Sequence, residues 1–483
     1  MQIFTSYATK TKPCKLNRVY HDTTDMYRKA VGFFIDVCLS EWEEIITHDS
    51  RKRNNFIESI TAKTKNRPVV KYDFDKDFHK FPCYLRRSAV ACAVGKVSSY
   101  KSALKNWEQV DTKARGKKPG IPTTGYEFPV FYKGNSLEYD GGYSVKIKVF
   151  IRNTWDWATV PLRKSDVDYI KHHCSDRERC SPTIVKSHKK WRLLWSFKET
   201  VTLNDKPVNE QRIAAVDLGI NNACVISVME SDGTVVGRKF LKLSAENDSL
   251  NHALGKLKRA QKHGAGHMPR LWAFVNGINH DIAAKTANFI VETARAYHTD
   301  VIVMEHLDVN GRKHGRRKQR LHLWKAQYVQ AMAINKAHRN KMHVSTVNAW
   351  NTSRLAFDGS GRILRGNEST KTNKNYSLCE FSTGKVYHCD LNASCNIGAR
   401  YFIRELTKSL PAKERQQVEA KVPLLVHRSQ STLSTLISLH AALAALAASQ
   451  PSPDRMVEGQ SDAPKGQPVQ QCAGNRKHST LVV

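Results

Sequence analysis

Asp217, Glu305 and Asp390 are the side chains of this chain best suited to chemistry. Asp217 ends the apolar run Ile213-Ala214-Ala215-Val216, and Glu305 ends Val301-Ile302-Val303-Met304. Asp390 opens a segment, Leu391 to Arg400, that reads as the start of a helix. Acids at the ends of neighbouring parallel strands can converge outside a sheet edge although they are remote in sequence. Converged carboxylates repel one another unless cations hold them, and hard oxygen donors select Mg²⁺ or Mn²⁺. Two such ions about 3.5–4 Å apart activate a water and stabilise the leaving oxygen of a phosphodiester. Asp217 is expected to bridge both ions, with Glu305 and Asp390 each holding one, and such cleavage leaves 3′-hydroxyl and 5′-phosphate ends.

The surroundings point to the substrate. The 483 residues include 77 Lys+Arg against 44 Asp+Glu, a formal net charge of +33. That excess implies attraction to polyanions and salt-sensitive binding; the bland alternative is a basic factor that meets nucleic acid only non-specifically. A single core stops growing at about 250–300 residues, so two to four domains are expected. The 11 cysteines are irregularly spaced, and no signal-peptide core follows Met1. The expectation is thiols in a reducing, prokaryotic cytoplasm, associated with the nucleoid. No stretch approaches the ~20 apolar residues of a membrane span. Leu433 to Ala448 comes nearest, but Ser434, Thr435, Ser438 and His440 interrupt it.

Periodicity supplies the elements. An edge strand is expected in the first dozen residues. Helices follow at Met26 to Ile46 and at Phe81 to Trp107, with Pro82 in the first turn of the second. That second helix carries Arg86, Arg87 and Lys96, which either track a phosphate backbone or form a solvated face. A basic loop with Lys117 and Lys118 leads into alternating strands at Val130–Tyr132, Tyr143–Ile151, Trp157–Leu162 and Trp191–Leu203. Lys146 and Lys148 share one strand face; Lys189, Lys190 and Arg192 flank Trp191, an arrangement suited to gripping a backbone with rings at hand for stacking. From Arg212 the order is three strands (Ile213–Val216, Cys224–Met229, Val235–Leu241) and one helical region from Ser244 to His298. Then come a strand at Val301–Met304, the basic cluster containing Arg316, Arg317, Lys318 and Arg320, a helix at Leu321–Lys341 and a strand at His343–Val347. Arg354 is a further candidate contact, and Pro451 to Val483 has the composition of a disordered tail.

Each acid also has a structural alternative. Asp217 before Leu218-Gly219 suits a hairpin turn, Glu305 a solvated strand end, and Asp390 a helix N-cap. Jointly, the order of strand-Asp, hairpin, helices, strand-Glu and helix-borne Asp is what a ribonuclease-H-like fold needs to gather three acids.

VDLGINN at 216–222, IVMEHLD at 302–308 and CDLNASCNIGARYF at 389–402 resemble the three RuvC segments of the TnpB proteins, transposon-encoded RNA-guided nucleases, and of the related miniature type V CRISPR effectors. Ala349-Trp350-Asn351-Thr352-Ser353 joins the resemblance, which spans most of residues 1–405. It implies a multi-domain α+β chain: a helical recognition lobe (26–125) inserted in an oligonucleotide-binding β-barrel (1–25 and 126–210). A RuvC-like nuclease (211–348 and 389–405) then carries a target-strand-loading insertion (349–388), followed by a helical extension (406–450) and the tail (451–483). It also implies a guide RNA, a double-stranded DNA target beside a short protein-read motif, Mg²⁺, and Asp217, Glu305 and Asp390 as the catalytic acids.

One departure stands out. The family carries a zinc ribbon of two Cys-x-x-Cys pairs before the last acid. Here Ala356 and Gly359 occupy the first pair, and Cys379 with Ser382 the second. Tetrahedral zinc needs four N or S donors, so no zinc is expected, and the loop is read as held by Phe357, Tyr376 and Phe381. Cys174 and Cys180 beside His172 and His173 are also spaced atypically for a site. Two other functions stay open: a DNA-binding regulator that does not cut, and a transposase or resolvase that needs no guide. Monomer and homodimer are equally compatible with the sequence.

Overall fold

The computed structural model describes residues 1–11, 16–50, 52–112, 115–187, 190–220, 222–307 and 324–449. They form a mixed α/β structure in two compact units, residues 1–203 and 204 onward. Arg316, Arg317, Lys318 and Arg320, together with Lys189 and the 451–483 segment, lie outside the described residues.

In the first unit β1 (Gln2–Lys10) is followed by α1 (Asn17–Ser40), α2 (Trp42–Ile45), α3 (Arg53–Thr61), α4 (Phe74–Asp77) and α5 (Cys83–Gln109). Pro82 caps α5 from outside rather than sitting in its first turn. Then come β2 (Leu137–Glu138), β3 (Ser144–Ile151), β4 (Thr154–Pro161), α6 (Lys164–Cys174), β5 (Glu178–Arg179), β6 (Thr183–Ser187) and β7 (Lys190–Thr200). The first sheet uses β7 as a hub: β1 pairs along its whole length on one side, and β5 and β6 on the other. A second sheet runs β2-β3-β4.

The expected barrel does not close among the described residues. Isolated bridges link the sheets at two places, Thr11 to Leu162 and, through the 130–133 segment, Val130 to Thr183 and Lys133 to Leu137, but no continuous ladder joins them among the described residues. Nor do helices and strands have separate interiors, because Phe34, Leu85, Val90, Ile147, Leu193 and Trp195 belong to one core. Helix α6 escaped the sequence analysis although Val167, Ile170 and Cys174 recur at helical spacing and are buried.

The second unit is built on a five-stranded sheet, β8 (Ile213–Leu218), β9 (Cys224–Met229), β10 (Val235–Leu241), β11 (Val301–His306) and β12 (His343–Asn348), in the order β10-β9-β8-β11-β12. β8, β9 and β10 are antiparallel neighbours, whereas β8, β11 and β12 are parallel. The unbroken apolar runs of β8, β9 and β11 follow from burial on both faces. Helices α7 (Ser244–Lys262) and α8 (Pro269–Ala296) replace the single helical region expected. Gly264 at φ +82° ends the first, and Pro269 suits the first turn of the second. Helix α9 spans Ala326–Arg339.

One face of the sheet (Ala214, Val216, Ile302, Met304) packs on α8 and α9. The other (Ile213, Ala215, Val301, Val303) packs on α10 (Cys389–Ser409) and α12 (Leu433–Ser449), with α11 (Ala412–Lys421) beside them. Every residue of α10 from Leu391 to Ile403 is buried, as expected of a helix enclosed on all sides. A small sheet of β13 (Leu364–Arg365), β14 (Leu378–Glu380) and β15 (Val386–His388) precedes α10.

Candidate active site

Strand register brings two of the acids side by side. In the parallel pair of β8 and β11, Val216 lies opposite Met304, so the next residue on each strand is an acid, Asp217 and Glu305. Adjacent strands lie about 4.8 Å apart. Alternation places both acids on the face shared with Ile213, Ala215, Val301 and Val303, the face covered by α10. Asp390 is the second residue of that helix. It is not the N-cap, a position held by His388, so its carboxylate is free for another role.

The polar neighbours hold these carboxylates in place. Asn222, buried in the turn after β8, donates from Nδ2 to Oδ2 of Asp390 at 2.7 Å. Gly219 makes that turn possible, because a Cβ there would meet the carbonyl oxygen of Asn222 at 2.7 Å. The hydroxyl of Thr352 donates to Oε1 of Glu305, and Gln330 Nε2 donates to the Glu305 carbonyl at 2.7 Å.

Thr352 is in turn positioned by α10. Asn392, Asn396 and Arg400 recur every four residues on one stripe of the helix, which faces the 348–357 segment. Asn392 donates to the Leu355 carbonyl at 2.8 Å and accepts from the Phe357 amide at 2.8 Å. Asn396 donates to the carbonyls of Thr352 and Leu355 at 3.0 and 2.9 Å. Arg400 donates to the carbonyls of Asn348, Trp350, Ser429 and Ser431. These residues went unassigned in the sequence analysis, although the four-residue spacing of polar side chains in an otherwise apolar helix was legible.

Electrostatics mark Asp217 as the centre. Burial first, and then the charges of Glu305 and Asp390, push its carboxyl well above the ordinary range; Cys389 adds to this and Arg365 opposes it. Burial also raises Glu305, against the Thr352 hydroxyl and the Arg400 charge, which lower it. The donor set, oxygen atoms only and with a surplus of negative charge, fits a hard divalent cation. Among the described residues no three His, Cys, Asp or Glu side chains already close on one point.

The basic candidates divide. Lys96 is committed to buried Glu127 and to the Thr123 carbonyl. Arg86 reaches Glu58 and Asp75 at 3.9 and 3.8 Å, and Arg87 pairs with Glu58 at 3.2 Å. In this structure these three side chains are engaged in ion pairs within the chain. Lys146 pairs with Glu138 at 3.5 Å, Lys148 lies over Trp157, Lys118 lies over Trp107, and Arg192 is half-buried in β7. Lys117, Lys190 and Arg354 are exposed.

Cys379 is buried with Ala356, Ile363, Phe381 and Cys389, and its thiol donates to the Tyr387 carbonyl at 3.4 Å. Phe357 packs edge-on against Phe381 and Tyr387. Tyr376, expected to support this loop from within, is 63% exposed. Cys174 is buried whereas His172 and His173 are exposed, so they diverge.

Comparison with known proteins adds the following. The Aq_aa04 family matches residues 5–151. An uncharacterised Aquifex aeolicus (strain VF5) protein, aq_aa04, is 29% identical over 120 residues, covering 22% of this chain and 67% of that protein. Among solved structures, a Cas12f1-sgRNA-target DNA complex aligns over 79% of this chain and 81% of that one, at 13% identity and a TM-score of 0.49. C2c1 of Alicyclobacillus acidoterrestris with single-guide RNA aligns over 80% and 66%, at 11% identity and a TM-score of 0.36. CasPhi-2 bound to crRNA and phosphorothioate-DNA aligns over 89% and 92%, at 10% identity and a TM-score of 0.39. No helix among the described residues is long and apolar enough to cross a membrane.

Proposed function

We propose that this chain is an RNA-guided, Mg²⁺-dependent DNA endonuclease that cuts double-stranded DNA beside a short motif through one acidic site. The observation that carries this is the register of β8 and β11, which sets Asp217 beside Glu305 on the face covered by α10, whose first turn carries Asp390. The sheet order, with acids at the ends of two parallel strands and on the closing helix, supports a ribonuclease-H-like nuclease. The resemblance of VDLGINN, IVMEHLD and CDLNASCNIGARYF to TnpB segments supports guiding, and the net charge of +33 supports polyanionic partners.

Asp217, Glu305 and Asp390 would hold the divalent cations. Bound there, the cations supply an activated water and offset charge on the leaving oxygen. Asn222 holds Asp390 through Oδ2, leaving Oδ1 for a cation. Thr352 does the same for Glu305, and Arg400 spends its donors on backbone carbonyls, so it stiffens the loop while its charge favours the ionised form of Glu305. Residues 1–203 are assigned the guide RNA and the duplex motif.

The test begins with nucleic acid that copurifies with the protein: one uniform RNA species is expected on sequencing. Reconstituted with it, the protein cuts matched DNA in Mg²⁺ and not in EDTA. Asp217→Ala lowers the rate by about 10³-fold or more while RNA binding persists. Cleavage by Asp217→Ala at the normal rate overturns the site. Cleavage by protein that carries no RNA overturns the guiding and favours a resolvase.

A further inference from the structure

We infer that Trp350 is a stacking platform for a nucleobase of the strand being cut, and so a substrate-positioning residue beside the acids; this rests on the nuclease reading above. The indole is 69% exposed, an unusual place for the largest apolar side chain. Its backbone, by contrast, is immobilised on both sides. The Trp350 amide donates to Oδ1 of Asn348 at 2.8 Å, and its carbonyl accepts from Nη1 of buried Arg400 at 2.7 Å. Asn351, next in the chain, adopts the left-handed conformation at φ +64°, which bends the segment sharply after the Trp. Thr352 then accepts Asn396 on its carbonyl and turns its hydroxyl onto Glu305.

An exposed ring on a loop clamped by a buried guanidinium is not a frayed surface residue. Folding spends a buried cation and a strained residue to hold that ring two positions past the end of β12, the strand paired with the one that carries Glu305. Exposed Arg354 stands on the same loop, four residues on, as a ready phosphate contact. An exposed aromatic ring and an exposed cation on one loop, whose Thr352 holds Glu305, match what a single-stranded polynucleotide offers: a planar base followed by a phosphate. An apolar protein partner would call for a wider patch than one ring. The stacked base would fix the strand in register with the acids, which is a positional role and needs no proton or metal chemistry from the indole.

The test uses full-length protein carrying its copurified RNA and single-stranded DNA of about twelve nucleotides, with an abasic site moved through successive positions. Trp350→Ala is expected to raise the half-saturating DNA concentration roughly tenfold, with the rate at saturation held within about twofold. Trp350→Phe is expected to restore most of the loss. In the parent protein one abasic position should weaken binding as much as Trp350→Ala does, and the two changes combined should cost no more than either alone. Anisotropy on the Asp217→Ala background in EDTA reads the same cycle without cleavage. Loss of the cycle there overturns the platform whatever the nuclease does. A preserved cycle in a protein that never cuts would instead retire the nuclease reading alone. An unchanged thermal midpoint in Trp350→Ala separates lost stacking from a disturbed loop, and a fall in midpoint with no abasic match also overturns it.

Discussion

Asp217 is electrostatically costly to the folded chain by itself. Its carboxyl is buried beside two other acids, so the fold favours the protonated form. A carboxyl raised in the folded state opposes folding once pH exceeds its unfolded value, because the native state then binds more protons than the unfolded one. Stability of the cation-free protein therefore falls as pH rises from about 4 toward the raised native value. Asp217→Asn removes the charge at similar shape and is expected to raise the thermal midpoint in EDTA at neutral pH by about 2–4 °C. Mg²⁺ should raise the midpoint of the parent protein, and raise that of Asp217→Asn much less. A lower midpoint for Asp217→Asn in EDTA, measured by calorimetry, would show that the aspartate stabilises the fold instead. The same competition between proton and cation predicts that the Mg²⁺ concentration for half-maximal cleavage climbs as pH is lowered.

Helix α10 joins these side chains into one device. It contributes Asp390 at its start, Asn392 and Asn396 against the Thr352 loop, and Arg400 beneath Trp350. It lies close to the sheet because Gly398 has no side chain: a Cβ there would collide with Sδ of Met229 and stand 3.1 Å from Cβ of Ala215. Gly398→Ala should cost about 1–3 kcal/mol in denaturant unfolding through overpacking, and should lower cleavage by moving Asp390. Asn396→Ala leaves the Thr352 carbonyl without its donor and should cost a similar amount. Its effect on cleavage should exceed its effect on RNA binding, because Thr352 carries the disturbance to Glu305. Equal losses of both activities would indicate general unfolding.

For the molecule as a whole, 77 basic against 44 acidic side chains make association with nucleic acid an ion-exchange event. The logarithm of the RNA association constant should fall linearly with the logarithm of salt, with a slope of about −4 or steeper. Titrations between about 50 and 200 mM salt check this; a flat line would assign binding to stacking and hydrogen bonds. Several cations singled out by position, Lys96, Arg86 and Arg87, should contribute little to that slope, since carboxylates already neutralise them.

Alternation and apolar run length are local properties. β8, β9 and β11, the long helices and the three acids at element ends were accordingly readable from residue order, whereas the Gly264 break and the short elements α3, α6, β6 and β13 to β15 were not, and Val130–Tyr132, expected as a strand, forms only isolated bridges. Pairing between remote segments is not local. Nothing near Asp217 in the chain says that Met304 faces Val216, that Asn222 donates to Asp390, or that Lys96 meets Glu127. Whether the two sheets join by continuous ladders, which they do not among the described residues, has the same origin, since closure depends on hydrogen bonds between strand edges far apart in sequence. Residue types could name the candidates for chemistry; only contacts across tens to hundreds of residues could show which of them are free to perform it.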